Sequence, residues 1–416
     1  MRILLLLRFT LPISFLIFSC EDPNYPENIW DENDQGNASP SISSVEPEAA
    51  FAGIDTLTIS GQNFSENTSE NLVYFNNMLG EVVNATSTSL SVITPNLVGD
   101  SVQIRVAVQG AFLFADHSSL YTLTAAVSDY GPFDQFTDIF SLDLDRDENL
   151  IVSLDGTPNA EFWIVDTNQD SALWSGALAK GSGMKLGPNG SVYFVNYQRF
   201  LYKDEQGTPK ENSEIFKRLN GNATDLDFDS YGNLFVGGAG STIDVVDIND
   251  DGGLTSGVTE AKNLDTLDIL SLKVLNDYLY VLTTTVASDQ SIYKMQILND
   301  SGSLGDLELA FDWSAYTNKL SSALCFTLNE SGDLFVGSDS DDQPLTYIQN
   351  GNASGFYTSI LTAPISYMAW GNSNYLYLIN KTEETNRVQR VDTRMSGADY
   401  YGCLLYTSDA ADEITG

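Results

Sequence analysis

From Tyr130 onward the apolar positions come in short, strand-length runs, and one hairpin pattern returns along the chain. Phe140 to Asp145 turns into Asn149 to Val152, Gly183 to Leu186 into Ser191 to Val195, and Asp225 to Asp229 into Asn233 to Val236. Leu324 to Leu328 turns into Asp333 to Val336, and two looser copies join Leu272–Leu275 to Tyr278–Val281 and Tyr367–Trp370 to Tyr375–Leu378. The turns at Glu148, Gly190, Gly232, Asp277, Gly332 and Asn374 recur every 40 to 55 residues, roughly the length of a four-stranded blade. Each copy offers a third strand and usually a fourth, as Thr242–Asp247 and Thr259–Leu264 do in the third. Sheets of this kind hide their edges by closing into a ring, so residues 130–402 are expected to form a β-propeller of about six four-stranded blades, with a seventh left open. The sixth copy has a third strand in Val388–Asp392 and no clear fourth. Its closure falls to Ala398–Tyr401, to the segment around Val127 to Tyr130, or to residues beyond this chain.

The hairpins, with the Gly232-Asn233-Leu234-Phe235-Val236 core as their clearest instance, resemble NHL-type propeller repeats. Upstream, residues 41–125 alternate apolar and polar positions in shorter strands: Leu57–Ser60, Leu72–Phe75, Ser89–Val92 and Val102–Val106. Turn residues separate them, as a small β-sandwich requires. Ile42–Pro47, the Gly61-Gln62-Asn63-Phe64 element after Thr58, Val73–Asn76 and Thr88–Pro95 resemble an IPT/TIG domain, which implies an immunoglobulin-like sandwich serving as a spacer or binding module. The predicted fold class is therefore all-β.

The N-terminus follows a different grammar. Arg2 and Arg8 precede an apolar run, Phe9 to Phe18, that stops at Ser19-Cys20, which reads as a signal peptide over residues 1–19. The run is too short for a membrane-spanning helix of ~20 residues. Ile17-Phe18-Ser19-Cys20 resembles a lipobox, which implies a lipid on Cys20 and an outer-membrane lipid as partner. Glu21 and Asp22 resemble the export signal of Bacteroidota lipoproteins, which implies the outer face of the outer membrane. Residues 20–40, rich in Asn, Asp, Glu and Pro, read as a lipidated tether. At the other end, residues 403–416 contain a stretch, Cys403 to Glu413, that reads as a translated sequencing adaptor, with the native C-terminus lost beyond it.

Charge narrows the partners. With 57 Asp and Glu against 19 Lys and Arg the chain carries −38, which repels phosphate backbones and excludes nucleic acid. One histidine, His117, cannot build a catalytic triad or a histidine zinc site. Cys325 lies in an apolar run and reads as an inert buried thiol. Calcium is the one cofactor left open: Asp247, Asn249 and Asp251 alternate oxygen ligands before Gly252, although Val258 stands where an EF-hand places its closing glutamate. Asp143, Asp225 and Asp227 are candidate channel carboxylates, Asp143 also fitting a hairpin turn, and Asp339 to Asp342 forms a further acidic loop.

Trp163, Trp174, Trp313, Tyr316 and Trp370 could stack on sugar rings, though packing between blades competes for the same side chains. The resulting expectation is a cell-surface lipoprotein whose propeller binds an extracellular glycan or protein without catalysis. Two alternatives stand beside it: a calcium-dependent hydrolase or lyase acting in the propeller channel, and a structural docking module. The organisation resembles surface lipoproteins of Bacteroidota glycan-uptake systems.

Overall fold

β-Branched and aromatic residues at every second position favour the pleated strand over the helix. The computed structural model follows this: it describes residues 36–155, 160–249, 252–371, 373–382, 385–398 and 401, and a short α-helix, Trp313–Thr317, stands among the strands. Among the described residues no helix is long and apolar enough to cross a membrane.

The first domain is an immunoglobulin-like sandwich. A seven-stranded sheet runs in the order Ser41–Glu46, Thr56–Gln62, Ser89–Ile93, Met78–Thr86, Asn71–Phe75, Ile104–Val108, Ala115–Asp116. It faces a three-stranded sheet of Ala49–Phe51, Tyr121–Thr124 and Gly99–Val102. Alternation sends Leu57, Ile59, Val73, Phe75, Leu90, Val92, Ile104 and Val106 into one core in which each is fully buried. The register defines two ends. Thr56 pairs with Ile93 and Ile93 with Glu81 at one end, while Ser41 pairs with Gln62 and Asn71 with Val108 at the other.

Six four-stranded antiparallel sheets follow as the blades of a propeller. Their inner strands are Ile139–Leu144, Gly183–Leu186, Asp225–Phe228, Asp268–Leu275, Ala323–Leu328 and Ile365–Trp370. Five of the six inner hairpins turn through a left-handed backbone position: Glu148 (φ 62°), Gly190 (65°), Gly232 (89°), Asn276 (51°) and Gly332 (83°). That requirement for positive φ explains why Gly and Asn mark the repeat. Asp145 and Asp229 complete two of the turns, each accepting from two backbone N–H groups and from an Asn side chain four residues on.

Of the three routes open for closure, the ring takes the N-terminal one. Val127–Tyr130 forms the outer strand of the sixth blade, with Val127 opposite Val391 and Tyr130 opposite Val388. Tyr130 is 1% exposed, sets its ring edge-on to Tyr377 at 5.2 Å and donates from its hydroxyl to the Asp166 carbonyl of blade one.

The sandwich grips the propeller through one polar clamp. Arg394, in the loop after blade six, makes a two-pronged contact with Asp55 (2.9 and 2.7 Å) and lies 3.8 Å above the Phe51 ring. Ser359 donates to the Gly53 carbonyl beside it at 2.6 Å. Asp55 and Phe51 precede Thr56, so the propeller sits at the Thr56 end of the sandwich.

One carboxylate is buried away from these features. Asp204, at the end of the third strand of blade two, is 2% exposed and accepts from the Ser213 hydroxyl at 2.9 Å, while its Oδ1 has no partner among the described residues. Burial pushes its pKa up to about 6 despite that hydrogen bond. A carboxyl whose folded pKa lies above its unfolded value opposes folding once ionised, so the penalty is absent below pH ~4 and complete above pH ~6. Asp204→Asn is therefore expected to raise stability at pH 8 by about 1 to 2 kcal/mol, after allowance for solvent screening, and to leave it unchanged at pH 4. Urea unfolding of both proteins at the two pH values reads the difference.

Candidate functional site

The inner strands bring a short column of residues from every blade to the propeller axis. In one layer stand Asp143, Lys185, Asp227, Lys273, Thr327 and Ala369, each at the same register position of its hairpin. Carboxylate and ammonium thus alternate around the first four blades. Two residues earlier on the strands, and on the same face, lie Ser141, Gly183, Asp225, Ser271, Cys325 and Tyr367.

These groups satisfy one another. Lys185 Nζ lies 3.3 Å from Asp143 and 3.8 Å from Asp227, and Lys273 Nζ lies 2.7 Å from Asp225. Asp143 also accepts from the Leu186 N–H, Asp227 from the Val274 N–H, and Asp225 from Ser271 and the Leu272 N–H. Burial alone would push the Lys185 ammonium down, but the carboxylates of Asp143, Asp227 and Asp225 outweigh it and its pKa is raised. For Asp227 burial wins over both lysines and its pKa rises. Burial beside Asp225 and Asp143 holds the Tyr367 phenol well above its ordinary value and therefore neutral. The Cys325 thiol, buried near the same groups, is pushed up to about 12 and stays unreactive.

Below this layer the channel narrows to a cavity of about 40 Å³, room for a few waters, lined by Asp143, Lys185, Asp227, Lys273 and Trp370. The segment after blade six lies across it. Ala398 N–H donates to the Leu328 carbonyl, the Ser396 carbonyl accepts from the Glu330 N–H, and a Cβ on Gly397 would stand 2.4 Å from the Trp370 indole. Only a glycine lets the segment pass there.

Above the layer the channel opens into a funnel of about 210 Å³, to which all six blades contribute. Hydroxyls dominate its polar lining: Ser182, Tyr197, Thr224, Ser271, Ser366 and Tyr367. Phe140 forms part of the wall, with Lys180 Nζ 4.0 Å and Lys381 Nζ 4.5 Å from its ring centre. Lys180 pairs with Asp155 and Lys381 with Asp138. At the rim stands Tyr197, 57% exposed, in the loop between the second and third strands of blade two, at φ 64°. A bulky residue in the left-handed region is strained by about 1 to 3 kcal/mol, and such strain concentrates at binding sites.

The residues singled out in the sequence fall in several places. Asp143, Asp225 and Asp227 all face the channel. Asp143 lies on the inner strand, and it is Asp145 that serves the turn. Trp174 (4% exposed) meets Phe162 edge-on, and Trp313 (1%) donates from its indole to the Ser321 carbonyl, so both are spent on packing between strands. Trp163 is half-buried and bonded to Glu161, and Trp370 packs on Phe335 beneath the C-terminal segment. Tyr316 bonds Gln343 at 2.6 Å and, with Trp313, borders a groove whose other wall is Asp339 to Asp342.

Asn249 caps its own turn, accepting from the Gly253 N–H, and Asp247 sits half-buried on the adjoining strand. Asp251 and Cys20 lie outside the described residues. Among the described residues no three His, Cys, Asp or Glu side chains converge in a way that could hold a metal ion. His117 lies on the sandwich with Nδ1 2.9 Å from the Ser119 carbonyl.

Lys185, Lys273 and Tyr197 are what sequence reasoning missed. A lone lysine inside an apolar strand, as in Met184-Lys185-Leu186 and Leu272-Lys273-Val274, was the available signal for the first two. Nothing in the sequence marks Tyr197.

Residues 40–125 match the family model of the IPT/TIG domain. No curated protein matches the chain in sequence. Solved structures share its fold at low identity. An auxiliary nutrient binding protein from Bacteroides thetaiotaomicron is 11% identical over 86% of this chain and 98% of its own, with a TM-score of 0.52. A protein from the same organism, provisionally called a phosphatase, is 12% identical over 87% of this chain and 98% of its own, with a TM-score of 0.55. A third, provisionally called a gluconolactonase, is 14% identical over 66% of this chain and 94% of its own, with a TM-score of 0.50. At such identities the likeness speaks for the fold alone.

Proposed function

We propose that this protein is a surface lipoprotein, anchored through Cys20 to the outer membrane, that binds an extracellular glycan in the upper funnel of its propeller without transforming it. The sandwich stands between the tether and the propeller as a spacer. The observation that carries the reading is the exposed Tyr197 ring, held in a strained backbone at the rim of a hydroxyl-lined funnel. Sugars are recognised by this combination: an aromatic face for the C–H surface of the ring and hydroxyls for its edge.

The floor supports binding over hydrolysis. A calcium-dependent propeller enzyme needs carboxylates free to hold the metal, and here Lys185 and Lys273 occupy the space between Asp143, Asp225 and Asp227. The same architecture occurs in a protein described as nutrient-binding, which is the kind of role proposed, although one fold hosts many activities.

A glycan array probed with the full chain, with and without calcium, identifies the sugar, and calorimetry then gives its affinity. Tyr197→Ala is expected to weaken binding about tenfold, the equivalent of 1.4 kcal/mol of lost stacking. Calcium-dependent turnover of an array sugar, or binding untouched by the substitution, would sink the proposal.

A further inference from the structure

We infer that the end of the sandwich remote from the propeller is a lipid-contacting surface, with Leu113 and Phe114 entering the interfacial layer of the membrane that holds the tether. The inference rests on the anchoring at Cys20 proposed above.

Single exposed apolar residues are ordinary, but a contiguous group is not. Phe112, Leu113 and Phe114 are 55%, 67% and 52% exposed, on the loop that follows Ile104–Val108. Ala115 pairs with Val106, so Phe114 sits beside Ala107, which pairs with Leu72, itself 44% exposed. The result is an apolar row across the outer face of the sheet at the Asn71 end. Immediately behind it Arg105 stacks 3.9 Å from the Phe114 ring and pairs with Asp116 at 2.7 Å. An apolar tip backed by an aromatic-stacked cation is the arrangement that suits the boundary between acyl chains and headgroups.

Two further observations select lipid as the occupant. First, the chain enters the sandwich at this point: the Asn37 N–H donates to the Gly110 carbonyl at 2.7 Å, and the Asn37 side chain donates to the Gln109 carbonyl at 3.1 Å. Fifteen residues lie between Cys20 and Gly36, a reach of at most about 55 Å even if fully extended. The apolar loop is thus tied close to the anchor, while the clamp at Asp55 and Phe51 puts the propeller at the opposite end of the strands. Second, a net charge of −38 keeps most of the surface away from anionic headgroups, which leaves the apolar row at this end to approach them. Glu66, exposed at the same end, limits the contact to a shallow one.

The test uses the acylated full chain carrying Phe114→Trp on vesicles of phosphatidylethanolamine and phosphatidylglycerol with brominated acyl chains. The acylated chain without that change gives the background of the native tryptophans, and Cys20→Ser reports whether capture by the vesicles needs the anchor. The expected result is a blue shift and loss of the added emission, both reduced when Leu113→Asp is combined with it. Capture through Cys20 with no quenching of the added emission overturns this inference and leaves the anchor standing. Failure of the native chain to be captured overturns both.

Discussion

Lys185→Met is expected to lower the stability of the propeller by about 3 to 5 kcal/mol at pH 7.5, the usual consequence of removing one partner from a buried ion pair. The ammonium lies between Asp143 and Asp227, and its loss leaves two buried carboxylates with less compensation. Methionine matches the lysine stem in volume, so the loss reads charge and not a cavity. The sign of its pH dependence follows from Asp227, whose pKa burial already raises. Without Lys185 that pKa rises further, and a carboxyl with a raised folded pKa costs stability only where it is ionised. The penalty should therefore shrink as pH falls from 7.5 toward 5. Denaturant unfolding of both proteins across that range checks it, and a penalty that is constant with pH would show that the network does not carry the effect.

A second large effect is expected at the ring closure. Tyr130→Ala removes a fully buried ring from the strand that joins blade six to the start of the propeller, and with it the hydroxyl bond to Asp166. The expected loss is about 3 to 5 kcal/mol, as for other large aromatic truncations in cores. Because closure holds the first and last blades together, the substitution should also expose Val127–Tyr130 to proteases while the sandwich core around Leu57, Val73 and Leu90 keeps its stability. Timed proteolysis followed by mass spectrometry of the first cut distinguishes this from general loosening. A first cut inside the sandwich would contradict it.

The blades could be read from the sequence because five of the six inner hairpins need a left-handed turn, and Gly, Asn or an Asx-capped loop announces it. Asp229-Ser230-Tyr231-Gly232-Asn233 is legible for that reason. The charged layer was equally present in the aligned hairpins, where Asp143, Lys185, Asp227 and Lys273 occupy one column. Its carboxylates are candidates from the sequence alone, but its lysines are not, because a strand's two faces become inside and outside only once the ring closes.

Closure by Val127–Tyr130 could not be told from its alternatives, since four residues carry too little pattern. The aromatic candidates failed to separate for a related reason. Trp174 and Trp313 fill gaps between strands, and bulk alone does not distinguish packing from display. Tyr197 stands at a backbone angle that tyrosine rarely adopts, and no residue-type rule leads to it.

The way the ring is closed has a mechanical side. The strand that completes blade six follows directly on the sandwich, so a pull between ligand and tether loads its four register pairs with the neighbouring strand Asn386–Asp392. Arg394, two residues past Asp392 at the end where Val127 enters the blade, ties back to Asp55 and carries part of that load in parallel. Tension would therefore be shared between a zipper of backbone bonds and one charged latch before it reached any other blade.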